Sequence, residues 1–210
     1  MRDTVKVAVV GGFLGAGKTT ALIQVGRRLV SEFDKRVAMI TNDQGEELVD
    51  TEIVKHSGFA TAEVLHGCFC CRFPDFIASA HEILAKTNPD IILAEPVGSC
   101  TDLPATLYAP LEEYYKNEFA LAPLIALVDA SHVLHFHRDL NLLSSTTPMG
   151  HLISHQIQEA EVLAINKIDL VSPRQLAHVK NFIKKLNSRA EILAFSAKTG
   201  VGLNELTSLI

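Results

Sequence analysis

Residues 12–19 read GFLGAGKT, a full match to G-x-x-x-x-G-K-[ST], and they follow directly on Val5–Val10, an apolar run rich in β-branched residues. Such a run, ended by Gly11-Gly12, predicts a strand buried on both faces, as in a parallel sheet. Ala21–Val30 then carries apolar residues at helical spacing, which sets the octapeptide between a strand and a helix. Glycines in that position let the backbone N–H groups of Gly15–Lys18 turn inward around phosphate oxygens. Lys18 places a point charge on the β- and γ-phosphates, and the Thr19 hydroxyl is a ligand for Mg²⁺. The binding set expected of this loop is Gly12, Gly15, Ala16, Gly17, Lys18, Thr19 and Thr20. A chance match in a chain this size is expected at only ~0.01. The reading is a nucleoside triphosphate site.

Short apolar runs recur at Val37–Thr41, Ile91–Ala94, Leu124–Val128, Val162–Ile165 and Ile192–Phe195. Helical stretches separate them at Phe76–Ala85, Ser131–Leu142 and Pro173–Leu186, the last opened by Ser172 as cap and proline as first helical residue. Strands alternating with helices predict an α/β domain, a P-loop GTPase fold with a mainly parallel central sheet and helices on both faces. With 210 residues, 48% of them hydrophobic and 20% charged, one folded domain over 1–210 is expected and a disordered chain is excluded. A net charge of −5 gives no basic footprint, so nucleic acid is not an expected partner. No apolar stretch approaches the roughly 20 residues of a membrane span, and the N-terminal run lacks the features of a secretory leader. A cytoplasmic protein is expected. Asp43–Glu63 is polar with scattered apolar residues and reads as a long irregular segment, and Asn141–Gly150 reads as a loop.

Residues 166–169, NKID, close the run Val162–Ile165. An aspartate at a strand end accepts from both N1–H and N2–H₂ of guanine, whereas adenine offers neither donor there. A buried reader left unpaired rejects the wrong base by roughly 10⁴-fold. Asp169 is therefore the expected guanine reader, Asn166 holds the loop and reaches the purine, and the Lys167 stem lies over the ring. SAKTG at 196–200 supplies Ser196, Ala197 and Lys198, with the Ala197 N–H expected to donate to guanine O6. GTP is favoured over ATP, which a small-molecule kinase would use. Ile91–Ala94 ends in Glu95, giving E-P-V-G, in which Glu95 is assigned to the Mg²⁺ shell and the Gly98 N–H to the γ-phosphate. Lys18, Thr19, Glu95 and Gly98 form the expected catalytic set. Asp43, in TNDQGEE, is a further candidate metal ligand, while Glu47 reads as part of a solvated acidic loop.

Cys68, Cys70 and Cys71 form C-x-C-C in HGCFCC. A vicinal disulfide there would close a strained ring, and three thiols this close suit a soft metal better. Zn²⁺ fits, and Cu(I) accepts the same donors. Three thiolates leave one position, for which His66, water, an acid of the polar segment or a second protomer are candidates. Cys100 reads as a small buried side chain and not as a ligand. His132, His135 and His137 in SHVLHFH read as surface or partly buried histidines, since no cysteine or acid pattern joins them.

In their order along the chain, GFLGAGKTT, the acidic N-D-x-G-E loop, GCFCC, E-P-V-G, V-D-A at 128–130 and NKID resemble the CobW-like metallochaperone GTPases. The wider group includes accessory GTPases for nickel insertion into urease and hydrogenase, and a chaperone of a cobalamin-dependent mutase. The resemblance runs from Val5 to about Glu205, and His155-Gln156 ahead of EAEVLAINKIDL is similar too. It implies a slow GTPase using GTP/GDP, Mg²⁺ and Zn²⁺ that delivers metal from Cys68, Cys70 and Cys71 to a client metalloprotein or cobalamin-related enzyme. A nucleotide-dependent homodimer is a further expectation, with Arg72 as the candidate residue acting across it. The alternative is a GTP-dependent switch or cofactor-loading chaperone whose cysteine metal is only structural. Pro96-Val97 stands where relatives commonly carry small polar residues, and the sequence ends before the β-rich C-terminal domain that many of them have.

Overall fold

The computed structural model describes residues 4–43, 58–65, 68–138 and 148–210. Among them, eight strands form one parallel sheet: β1 (Val5–Gly12), β2 (Val37–Asp43), β3 (Ala60–Leu65), β4 (Ile91–Glu95), β5 (Phe119–Leu121), β6 (Ile125–Asp129), β7 (Val162–Asn166) and β8 (Glu191–Ala194). The spatial order is β3-β2-β4-β1-β6-β7-β8, with β5 also on β1. The two strands share one side of β1. Val5–Val7 pair with Phe119–Leu121, and Val10–Gly12 pair with Ile125–Leu127. Pro123 lies between β5 and β6, where it has no N–H to give the ladder.

Seven helices accompany the strands among the described residues: α1 (Lys18–Phe33), α2 (Phe73–Thr87), α3 (Ala109–Tyr114), α4 (Ala130–Arg138), α5 (Pro148–Glu159), α6 (Pro173–Leu186) and α7 (Leu203–Leu209). A wide π-helical turn, Pro104–Tyr108, leads into α3. Successive strand residues point to opposite faces, and the packing follows that period. Ala8, Val10, Met39 and Leu93 meet Leu22, Val25 and Leu29 of α1 and Leu206 of α7. Val7, Val9, Ala38 and Ile92 face the other way, onto Phe76, Ala80 and Ile83 of α2 and Leu111 of α3. On that same side, Val128, Leu163 and Ile165 pack with Val133 of α4, Ile157 of α5 and Val179 and Ile183 of α6. Helices thus cover both faces, which is why the central strands read as unbroken apolar runs.

The predicted helix over Pro173–Leu186 is reproduced to the residue. Ser172 Oγ accepts from the Gln175 N–H, and the Gln175 side chain accepts from the Ser172 N–H, a reciprocal cap. Two sequence expectations need correction. Residues 60–63, assigned to an irregular segment, belong to β3, which pairs with β2 from Ala38↔Ala60 to Asp43↔Leu65. Residues 148–150, assigned to a loop, open α5. Residues 44–57 and 141–147 of those two segments lie outside the described residues. No helix among the described residues is long and apolar enough to cross a membrane.

Candidate functional site

In an open parallel sheet, ligands bind beyond the carboxyl ends of the strands, where the chain order reverses. Here that point is the end of β1, flanked by β4 on one side and β6 on the other. Gly12, Glu95, Asp129 and Asn166 close β1, β4, β6 and β7, so all four arrive at one edge.

Gly12, Gly15 and Gly17 have φ of 128°, 76° and 89°, a left-handed path that brings the 12–19 loop back over β1. At Gly17 the requirement is double, since a Cβ there would lie 2.6 Å from Asn166 Nδ2. Lys18 and Thr19 enter the first turn of α1 and are buried, although cationic and polar. Thr19 Oγ1 donates to Glu95 Oε1 at 2.9 Å, and Lys18 Nζ stands 4.0 Å from the same oxygen. A hydroxyl and a buried carboxylate converging beside a lysine form a hard-oxygen donor set of the kind Mg²⁺ takes with phosphates. Gly98 packs directly over the loop, where a Cβ would lie 2.9 Å from Leu14 N. It is held from behind as well. Gln156 Nε2 donates to the carbonyls of both Gly98 and Cys100, at 3.0 and 2.9 Å.

Gly17, Thr20, Asn166, Lys167, Asp169, Leu170, Ala197 and Lys198 line an adjoining cleft of about 300 Å³. Asn166 Nδ2 donates to the Ala16 carbonyl, while its Oδ1 accepts from the Lys167 and Ala197 N–H groups. The Ala197 N–H, expected to face guanine O6, is thus engaged within the protein. Asp169 sits in a 3₁₀ turn, Ile168–Leu170, and accepts a 2.6 Å hydrogen bond from Ser196 Oγ. Ser196 Oγ accepts in turn from the Thr199 N–H, so SAKTG fixes the orientation of the carboxylate.

Asp129 carries no signal in the sequence beyond its place in V-D-A. Its Oδ2 lies 2.7 Å from Lys167 Nζ, and its Oδ1 accepts from the Ser131 N–H, Ser131 Oγ and the His132 N–H. Burial alone would raise this carboxyl, but Lys167, Ser131 and the His132 N–H hold it below the usual carboxylate range. Gln156 was legible only through the resemblance, because a helix glutamine carries no local signal for the carbonyls it reaches.

The C-x-C-C turn follows β3 and runs into α2, closed by the Cys71 and Arg72 N–H groups donating to the Cys68 carbonyl. The sulfurs of Cys68, Cys70 and Cys71 lie within 4.8 Å of one another, with Cys68–Cys70 at 2.6 Å and Cys70–Cys71 at 3.9 Å. Cys100, read as a bystander, places its Sγ 4.0 Å from Cys70 Sγ. Burial raises the Cys68 thiol, but hydrogen bonds from Cys70, Cys71 and the Cys71 N–H overcome that and hold it below the usual thiol value. Burial and the adjacent Cys68 push Cys70 up to about 12. Three convergent thiols with one primed to ionise suit a thiophilic cation. Asp43 ends β2 beside the site, but its side chain, like Glu46, Glu47, His66 and the side chains of His135 and His137, lies outside the described residues. Exposed His132 is 3.8 Å from Asp129 Oδ2 and, among the described residues, belongs to no group that could hold a metal ion. Arg72, the candidate for action across a dimer, pairs with Asp75 at 2.5 Å.

Residues 6–194 match the family model described as CobW/HypB/UreG, nucleotide-binding domain. A zinc-regulated GTPase metalloprotein activator 1 of Dictyostelium discoideum is 25% identical over 97% of this chain and 48% of its own length. A zinc chaperone CobW of Sinorhizobium is 29% identical over 93% of this chain and 60% of its own. The chain therefore spans about half the length of these relatives. Among solved structures, HypB from Helicobacter pylori in complex with nickel aligns with TM-score 0.64 at 18% identity, covering 97% of this chain and 84% of that one. Zn(II)-bound YjiA GTPase from E. coli aligns with TM-score 0.58 at 22% identity, over 90% and 57%. At these identities the structural likeness speaks for the fold.

Proposed function

The chain belongs to the CobW/HypB/UreG nucleotide-binding family, and from that premise we propose that it is a slow GTPase that binds Zn²⁺ or a related soft metal at Cys68, Cys70 and Cys71 and passes it to a client protein. One observation carries this reading. The segment leaving β4 touches both sites, through Glu95 on Thr19 and Lys18 and through Cys100 on Cys70.

In this reading Gly12–Thr20 cradles the phosphates, with Lys18 on the β- and γ-phosphates, and the residues of the 300 Å³ cleft take the guanosine. Asp169, held by Ser196, accepts from the guanine edge, while the Lys167 stem lies beside the ring. The Asn166 side chain keeps this cleft in register with the phosphate loop. Thr19 and Glu95 would hold Mg²⁺, which when bound supplies charge stabilisation for phosphoryl transfer. On this reading Gly98 offers its N–H to the γ-phosphate, and loss of that phosphate frees the segment that contacts the thiols. The relatives named as zinc chaperone and as zinc-regulated GTPase metalloprotein activator support a metal cargo and a client metalloprotein.

A chelator competition titration with Zn²⁺ tests the reading in three states: apo, GDP-bound, and bound to a nonhydrolysable GTP analogue. The analogue is expected to tighten Zn²⁺ by about 1–3 kcal/mol, with reciprocal tightening of the nucleotide and a smaller effect of GDP. Equal affinities in all three states would reduce the cysteine metal to a structural one.

A further inference from the structure

Resting on that metal-binding reading, we infer that Cys100 is a fourth ligand of the metal, so that one thiolate of the site comes from the segment leaving β4 and not from the C-x-C-C turn. A tetrahedral ion with Zn–S bonds of about 2.3 Å sets its sulfurs about 3.8 Å apart. Cys70–Cys100 at 4.0 Å and Cys70–Cys71 at 3.9 Å already have that spacing. Cys68–Cys70, at 2.6 Å, has to open by about an ångström to reach it, and Cys100, which stands outside the set of three sulfurs all within 4.8 Å of one another, has to draw in toward the rest.

Cys100 is also held where a ligand would be needed. Its N–H donates to the Val97 carbonyl at 2.9 Å, and its own carbonyl accepts from Gln156. Both bonds fix the backbone and leave the sulfur pointing at Cys70, so little ordering cost remains for binding. The four thiols form a gradient: Cys100 is 5% exposed, Cys68 and Cys70 are half-buried, and Cys71 is exposed. An ion held this way has a fixed inner end and an open outer end.

Cys100 lies two residues beyond Gly98, which packs on Leu14 of the phosphate loop, and five beyond Glu95, which holds Thr19. A displacement of this segment would move one ligand of four. Transfer is then a thiolate exchange with no redox step. The metal–sulfur bond to a chain cysteine breaks as one to a client thiolate forms, starting at Cys71, and the released cysteine takes up the proton the client thiol gave up. The arrangement makes the nucleotide-sensing segment itself part of the metal site.

Zinc K-edge X-ray absorption on the anaerobically purified full chain, loaded with one equivalent of Zn²⁺, tests this directly. The unmodified protein is expected to show four sulfurs near 2.3 Å, and Cys100→Ser three sulfurs with one lighter atom. Cys100→Ser and Cys100→Ala should also bind Zn²⁺ more than about tenfold more weakly in chelator competition, since even outer-shell changes cost that much. Three sulfurs in the unmodified protein, or a Cys100→Ser spectrum and affinity equal to it, would overturn the inference. Cys70→Ser separates the two failures. If it loses zinc while Cys100→Ser does not, the metal site stands on the turn alone and Cys100 is not a ligand. If neither variant changes the bound zinc, the metal reading itself falls.

Discussion

Lys167 Nζ lies 2.7 Å from Asp129 Oδ2 and 2.7 Å from the Gly15 carbonyl, so one ammonium ties the ends of β6 and β7 to the phosphate loop. Lys167 reaches this position from a left-handed backbone, φ 61°, at the entry to the 3₁₀ turn that carries Asp169. Its charge is thus shared between holding the loop and flanking the nucleotide cleft. Asp129 is what keeps it there.

Asp129→Asn should therefore lower stability by about 1–3 kcal/mol, the scale of a charge-assisted bond to a partly exposed partner, and weaken nucleotide binding. The pH dependence has a definite sign. The folded carboxyl is held below its unfolded value of about 3.9, so its stabilisation is complete above that pH and disappears as pH falls through the depressed value. Urea unfolding of both proteins between pH 2.5 and 7 checks this. Their difference in free energy should be flat at the upper end and shrink below about pH 4.

Asp169→Asn should weaken GTP and admit xanthosine triphosphate, whose C2 oxygen accepts where guanine donates. Ser196 already fixes one oxygen of the Asp169 carboxylate, so the substitution changes donor–acceptor sense with little change in shape. Competition of GTP, ATP and xanthosine triphosphate against a fluorescent nucleotide reads the switch. Equal affinity of the unmodified protein for ATP and GTP would refute the assignment.

Turnover by the isolated, zinc-free protein in Mg²⁺ should be slow, on the order of 10⁻⁴–10⁻² s⁻¹, the span of GTPases turning over without a partner. Neither the 12–19 loop nor 95–98 contains one, and Arg72 is engaged with Asp75. Phosphate release at dilute protein, repeated across a concentration series, measures it. A rate that rises with protein concentration would point to completion of the site by a second copy.

Gly98→Ala should separate binding from hydrolysis. The added Cβ would sit 2.9 Å from Leu14 N and 3.2 Å from Leu14 Cα, and backbone cannot swing aside as a side chain can. The segment has to lift off the phosphate loop, by enough to cost about 10²-fold in kcat. Nucleotide affinity, carried mainly by the loop and the cleft, should change far less. Single-turnover hydrolysis together with a binding isotherm on the same variant distinguishes the two.

The strands with both faces covered were legible because burial leaves an unbroken apolar run, as in Ile91–Ala94 and Val162–Ile165. β3 was not, because it lies at the sheet edge and its sequence, ATAEVL, is not an unbroken apolar run. β5 has three residues, fewer than any periodicity needs. The phosphate loop and NKID stood out because their chemistry demands fixed spacing within one segment. Asp129, Gln156 and Cys100 act on partners 38, 58 and 30 residues away, and no local pattern reports such pairs.

The Asn166 bond to the Ala16 carbonyl spans 150 residues of chain, and β1 finds its first partner only at β4. A ribosome adding about 5–20 residues per second therefore leaves the phosphate loop without its Asn166 clamp for roughly 8–30 s after it is made. The thiols at 68–71 emerge in that interval, ahead of Cys100 and of the cleft that reads the base. A nascent chain would hold its soft donors before it has any means of asking which nucleotide is present, so early metal capture would be ungoverned. On the proposed reading, birth order thus sets a period in which the thiols stand ready before any nucleotide can govern them.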